Sequence, residues 1–351
     1  MQPVHRMAVS SWLKARSPWL AVLACLTLAP AFLNKFYLGL MVQVFILAVF
    51  ALSYDLLMGY SGILSFGHAM FFGSGAYVVG LLLKGAAWPL YAALPIIIVA
   101  AALMGVLVGI VTLRVRGVYF AMITLAFAEV IYILSASSQL RPWTGGDEGL
   151  HGIPVPAWMS PTAERVTFYY ISLSFLVLMY FLARRIVNSP TGRVLIAVRE
   201  NESRAATIGY NVFWYKVLII VISGVLAALA GGLNALYFRN ATPEVLGVGR
   251  TIDALLMTII GGMGTLIGPV LGAVVIRVLG NYLADWFGPR WPLVFGLIFV
   301  ALVMFFPWGI VGTVGRLKPA LRSFIKSECG LQAGKEGGQK ASRISDNPEE
   351  H

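Results

Sequence analysis

Apolar runs, most about as long as a helix that crosses a hydrocarbon core, follow one another along this chain. They fall at 18–34, 37–58, 59–83, 90–113, 118–138, 166–183, 216–237, 251–262, 264–283 and 291–310. Polar residues gather at the ends and in the links, so the pattern predicts an all-α polytopic membrane protein of about ten spans. Some spans are short or broken. The 59–83 run is punctuated by Gly59, Gly62, Gly67, Gly73, Gly75 and Gly80, and the 251–262 run ends at Gly261-Gly262. The first run has a basic start and small residues near Ala29 and Ala31, as a cleaved signal peptide would. A retained span is the preferred reading, because further spans follow at once.

The longest polar insertion with helical character is 188–211. Ser189 followed by Pro190 is a helix start: the side-chain oxygen caps free N–H groups and Pro tolerates the first turn. Gly209 suits a helix stop. Between them Val194, Val198, Ala205 and Ile208 share a face, with Arg193, Arg199, Glu200 and Arg204 mostly elsewhere. A short amphipathic helix pair between spans suggests a docking surface.

Composition narrows the class. Charged residues are 12% and apolar residues 59%, with a mean hydropathy of +0.82. The net charge of +11 is placed unevenly. Most Lys and Arg lie in 1–17, at Arg114 and Arg116, in 184–216 and from Arg316 onward, which is the positive-inside bias and no nucleic-acid footprint. The expected organisation is therefore a cytoplasmic N-terminal tail at 1–17, a transmembrane domain at 18–311 and a disordered cytoplasmic tail at 312–351. Within the domain, 188–211 is cytoplasmic and 139–165 periplasmic, and both termini are inside. Cys25 and Cys329 form neither a disulfide framework nor a metal spacing.

Ionisable residues within the apolar runs are Asp55, His68, Glu129, Asp253 and Arg277, each costly in lipid and expected to face a bundle interior or a watery cavity. Asp55, one turn from the end of its span, suits a solvated or capping role. His68 follows Gly67 in the broken span and suits a hydrogen bond tying that segment together. Glu129, near mid-span and a turn or so beyond Thr124, is the strongest candidate for a translocation pathway, and Asp253 can cap the short eighth segment. Arg277 can pair with an acidic side chain or snorkel outward. Small residues four apart, as in Gly264, Gly268 and Gly272, or Gly224, Ala228 and Gly232, let helix backbones approach closely. The 261–268 run has several glycines but no Gly-Lys-Ser/Thr, so it is no phosphate loop. Neither a nucleotide site, a metal set nor a nucleophile–base pattern is present, and no catalytic residue or cofactor is expected. Uphill movement would draw on a partner or an ion gradient.

Five stretches carry a family resemblance. Gly59-Tyr-Ser-Gly-Ile-Leu-Ser-Phe-Gly-His-Ala-Met-Phe-Phe-Gly-Ser-Gly-Ala-Tyr77 is similar to the signature of permease subunits of branched-chain amino-acid ABC importers. The others begin at Arg116, Thr144, Ser189 and Gly261, in the same order as in that family. Ile63 departs from it, since members often carry Gln there. The resemblance implies a bacterial inner-membrane complex with a second permease subunit, two cytoplasmic ABC ATPase subunits and a periplasmic solute-binding protein. It implies an ATPase-coupling element containing Arg193, Arg199, Glu200, Asn201, Ala205 and Gly209. It also directs attention to a pathway beside Gly62, Ser65, Gly67, His68, Thr124, Phe127, Glu129 and Asp253. An ion-coupled transporter acting alone, with Glu129 or Asp253 carrying the proton, is the competing expectation.

Overall fold

The computed structural model describes residues 23–86, 88–161, 164–305 and 309–313. The expected tail at 1–17, and that at 312–351 apart from its first two residues, lie outside them. The fold is all-α, as the apolar pattern predicts. Its helices are α1 (Leu23–Phe32), α2 (Lys35–Asp55, continued by a π turn Leu56–Tyr60), α3 (Ala69–Gly80, with a π turn Leu81–Gly85) and α4 (Leu90–Thr112). Next come α5 (Val118–Ala136), the single turn α6 (Arg141–Thr144), α7 (Arg165–Asn188), α8 (Pro190–Glu200) and α9 (Glu202–Thr207). The last four are α10 (Val212–Phe238), α11 (Val248–Gly261), α12 (Ile267–Phe287) and α13 (Trp291–Phe305).

Six helical stretches among the described residues are long and apolar enough to cross a membrane. They are Lys35–Tyr60, Leu90–Thr112, Val118–Ala136, Arg165–Asn188, Val212–Phe238 and Ile267–Leu302, the last combining α12 with most of α13. These are fewer than the expected spans: 59–83 and 251–262 fold around half-length helices, α12 and α13 join in one stretch, and α1 is short among the described residues.

Helices α2 and α10 form the interior, packed on each other and on α3, with α4, α7, α11 and α12 around them. The outer helices turn large apolar side chains outward, among them Tyr91, Leu103 and Leu107 of α4 and Leu178 and Phe181 of α7. Such a surface suits lipid, where close backbone packing replaces the hydrophobic drive between helices. That packing is tightest between α3 and α10. A Cβ added at Gly75 would overlap the Ala228 carbonyl, and one at Gly231 would overlap the Phe72 carbonyl. The glycines near Ser223 therefore admit a neighbouring backbone, as their four-residue spacing suggests.

At one end of the bundle, Leu150 and His151 pair antiparallel with Ala241 and Asn240. Lys84 Nζ donates to the His151 carbonyl at 2.7 Å, so this clasp joins the tip of α3 to the loop after α10. The α8–α9 pair lies at the opposite end, beside the π turn that closes α2.

Candidate coupling and translocation site

The amphipathic helix pair expected at 188–211 forms as α8 and α9. Ser189 Oγ accepts the Gly192 N–H at 3.2 Å and caps α8; Asn201 Oδ1 accepts the Arg204 N–H at 2.9 Å and caps α9. Gly209 ends the pair at φ +98°, a left-handed conformation that favours glycine. Val194, Val198 and Ala205 are buried together with Val212 at the start of α10. Ile208 corrects the expected apolar face: it is 70% exposed, and Val212 takes the buried place. The reason is that α9 ends at Thr207, so the helical periodicity no longer governs the next residue. Ile208, Tyr210 and Trp214 leave an exposed apolar patch beside the exposed Arg193, Glu200 and Asn201. Glu202 fixes the pair to the spans through Lys216 at 2.8 Å and Arg116 at 3.7 Å.

Arg199 is exposed on α8, but its side chain reaches the end of α2. Its guanidinium donates to the carbonyl of Gly59, freed for a side-chain donor where the π turn ends α2. Its aliphatic stem covers Gly62, where a Cβ would stand 3.0 Å from Arg199 Cγ. Gly62 has φ +72°, so both backbone and space call for glycine there. Asp55 completes this junction. It is fully buried, one Oδ accepting the Gly264 N–H at 2.7 Å and the other the Leu266 N–H at 3.3 Å. Asp55 is thus unsolvated and caps a distant loop, the turn between α11 and α12. Its position four residues before Gly59 in an apolar run was the available signal.

From Ser61 the chain runs back into the bundle and begins α3 only at Ala69. Tyr54 Oη donates to the Ser65 carbonyl at 3.0 Å, and Ser65 Oγ accepts the Gly67 N–H at 3.3 Å. Thr124 Oγ1 of α5 accepts the Phe66 N–H at 3.2 Å while donating to the Ala121 carbonyl at 2.8 Å. These bonds satisfy backbone groups that a continuous helix would have paired internally, as an irregular segment at membrane depth requires. The broken span and α5 are therefore one unit, with Ser65, Gly67, His68 and Thr124 together.

His68 is fully buried. Its Nε2 lies 2.9 Å from Ser53 Oγ, whose proton goes to the Phe50 carbonyl at 2.6 Å, so Nε2–H is the donor. The ring stacks on Phe50 at a 16° interplanar angle and meets Tyr54 edge-on. One residue later the Ala69 N–H donates to Thr251 Oγ1 at 2.9 Å, which joins the start of α3 to the first turns of α11. Two half-length helices thus begin at a shared depth inside the bundle. Thr251 and Ser53 make these ties without any charge that would have distinguished them in the sequence.

The remaining candidates stand apart. Phe127 is half-buried one turn beyond Thr124, and Glu129 is exposed on the outward face of α5 beside Val130. Asp253 pairs with Arg250 at 3.5 Å on α11. Gly247 occupies the N-cap position of that helix, which starts earlier than expected and leaves Asp253 in its second turn. Arg277 donates to the neutral Gln43 amide oxygen of α2. Among the described residues no group of His, Cys, Asp and Glu could hold a metal ion.

Residues 36–307 match the family described as branched-chain amino acid transport system / permease component. The chain belongs to that family. It is 28% identical to the high-affinity branched-chain amino acid transport system permease protein LivM of Escherichia coli K12, over 82% of this chain and 71% of that one. It is 25% identical to the probable branched-chain amino acid transport permease protein LivM of Methanocaldococcus jannaschii, over 79% of this chain and 93% of that one. The ribose import permease protein RbsC of Haemophilus influenzae is 26% identical over 56% of this chain and 61% of its own length. No solved structure matches. The chain is thus a multi-pass membrane permease component, and its relatives are transport subunits.

Proposed function

We propose that this chain is a membrane-spanning subunit of an ABC importer in a bacterial inner membrane, moving branched-chain or related amino acids with energy from separate ATPases. The bond from Arg199 to Gly59 carries the proposal, because it joins an exposed amphipathic helix pair to the first residue of the 59–77 signature. Ile208, Tyr210 and Trp214 offer an ATPase partner apolar area, with Arg193, Glu200 and Asn201 as polar surroundings. A second permease subunit and a solute-binding protein would complete the complex. The amino-acid assignment is supported by the LivM relatives, which align over most of this chain, whereas the ribose permease aligns over 56%.

The mechanism derives from the packing. Movement of α8 on ATPase closure pulls on Gly59 through Arg199 and on the 262–266 turn through Asp55, so α2 and α12 move with it. The unit of Ser65–His68 with Thr124 rides on α2 through Tyr54 and Ser53. Glu129 turns outward on α5, where a mid-span carboxylate is stable against a partner subunit or a watery route. Alternating access then follows as rigid-body motion of packed elements.

Reconstituting the chain with its partner permease, ATPases and binding protein, then measuring leucine-stimulated ATP hydrolysis and uptake, tests the reading. ATP-dependent uptake is expected. Uptake by this chain alone, driven by a pH gradient, would overturn it.

A further inference from the structure

At the end of the bundle away from α8, a cavity of about 360 Å³ opens between the start of α2, the starts of α7 and its preceding loop, the end of α10 and the outer half of α12. Three cationic side chains line it, Lys35, Arg165 and Arg277, and no acidic side chain does. Gln43, Tyr237 and Asn281 supply its other polar groups.

The cations there are poorly matched by acceptors. Arg277 lies in the middle of an apolar span, and its bond goes to the uncharged Gln43. Its Nε–H is buried with no hydrogen-bond partner. Arg165 reaches the Lys35 carbonyl at 3.4 Å, and neither Arg165 nor Lys35 has an ion pair among the described residues. The nearby Asp253 does not line the cavity and is paired with Arg250. Tyr237 Oη donates to the Gly39 carbonyl at 3.1 Å.

An intramembrane guanidinium with an unpaired buried donor is expensive, and an anion relieves that cost. Three positive charges with no acid between them focus positive potential into the cavity. A planar guanidinium fork with an ammonium beside it suits a tetrahedral oxyanion. Exposed Phe36 and Phe238 at the rim give apolar contact where spans end and lipid headgroups lie.

We infer that this cavity binds a phosphate-type anion, Arg277 at its floor and Lys35 with Arg165 at its mouth. The phosphate of an anionic phospholipid and free inorganic phosphate share this chemistry. The inference is independent of the importer reading, since it concerns a different end of the bundle.

Native mass spectrometry of the purified full-length chain, titrated with phosphatidylglycerol or phosphatidylcholine, tests the lipid source. Thermal melting in phosphatidylcholine nanodiscs, with and without inorganic phosphate, tests the free anion. Retention of phosphatidylglycerol over phosphatidylcholine, falling about tenfold or more in Arg277→Gln and in Lys35→Gln/Arg165→Gln, is the expected result. A phosphate-dependent rise in Tm, absent from those variants, would assign the site to the free anion. The Lys35→Gln/Arg165→Gln chain alters only the mouth and keeps the test informative where Arg277→Gln fails to fold. Equal retention of both lipids with no phosphate effect would overturn the inference, as would undiminished binding by both variants.

Discussion

Arg199 of α8 donates its guanidinium proton to the carbonyl of Gly59, 140 residues earlier in the chain. The amphipathic helix α8 and the start of the broken span are thereby one mechanical joint. Replacing Arg199 with Ala removes a charge-assisted bond worth roughly 1.5–3 kcal/mol. In the reconstituted complex, leucine-stimulated ATP hydrolysis is expected to fall about tenfold, with Arg199→Lys intermediate because it keeps the charge and loses the fork. Unchanged stimulation in Arg199→Ala would separate α8 from coupling.

Asp55 is the other half of that joint. Asp55→Ala leaves the buried Leu266 N–H and the part-buried Gly264 N–H without their acceptor, at a cost of about 2–4 kcal/mol. Asp55→Asn keeps one oxygen and should lose about half as much. Thermal melting of the solubilised chain checks the order wild type, Asn, Ala. Equal melting of all three would mean that the 262–266 turn stands without this carboxylate.

Gly231→Ala places a Cβ on the Phe72 carbonyl, which must move with the whole of α3. Overpacking of that kind costs about 1–3 kcal/mol. Gly249→Ala, also helical but with nothing within 4 Å of the added atom, should be neutral or mildly stabilising. Comparing monodisperse yield and Tm of the two variants distinguishes close packing from a general intolerance of helix glycines.

His68 and Glu129 should respond in opposite ways. His68→Ala empties a site inside an aromatic cluster, and a loss of about 2–4 kcal/mol is expected on melting. Glu129→Gln, on an exposed face, should change stability by less than about 0.5 kcal/mol while lowering uptake by the assembled importer. Uptake matching wild type in Glu129→Gln would remove that residue from the proposed pathway.

Local signals made much of the molecule legible. Apolar run length specifies the membrane helices in outline, Ser189 and Gly209 specify the outer ends of the amphipathic helix pair, and small-residue spacing marks α10 as a site of close backbone packing. Each is a rule about neighbours in the chain: transfer from water, capping geometry, or the absence of a Cβ. The family motifs in 59–77, 189–209 and 261–269 extend that reach to the permease class.

The sequence by itself therefore determined an all-α membrane protein with an amphipathic helix pair between spans, because those features follow from hydrophobic length and local backbone chemistry, while its motifs pointed to the permease family. Tertiary structure alone decided what each polar residue within the bundle does. Asp55 meets a turn 209 residues away, Ala69 meets Thr251 across 182, and Arg277 finds Gln43 across 234. In a low-dielectric interior an unpaired polar group is costly, but which partner satisfies it depends on how the helices rotate and pack. That choice is set by the summed fit of many side chains, and no short stretch of the chain encodes it.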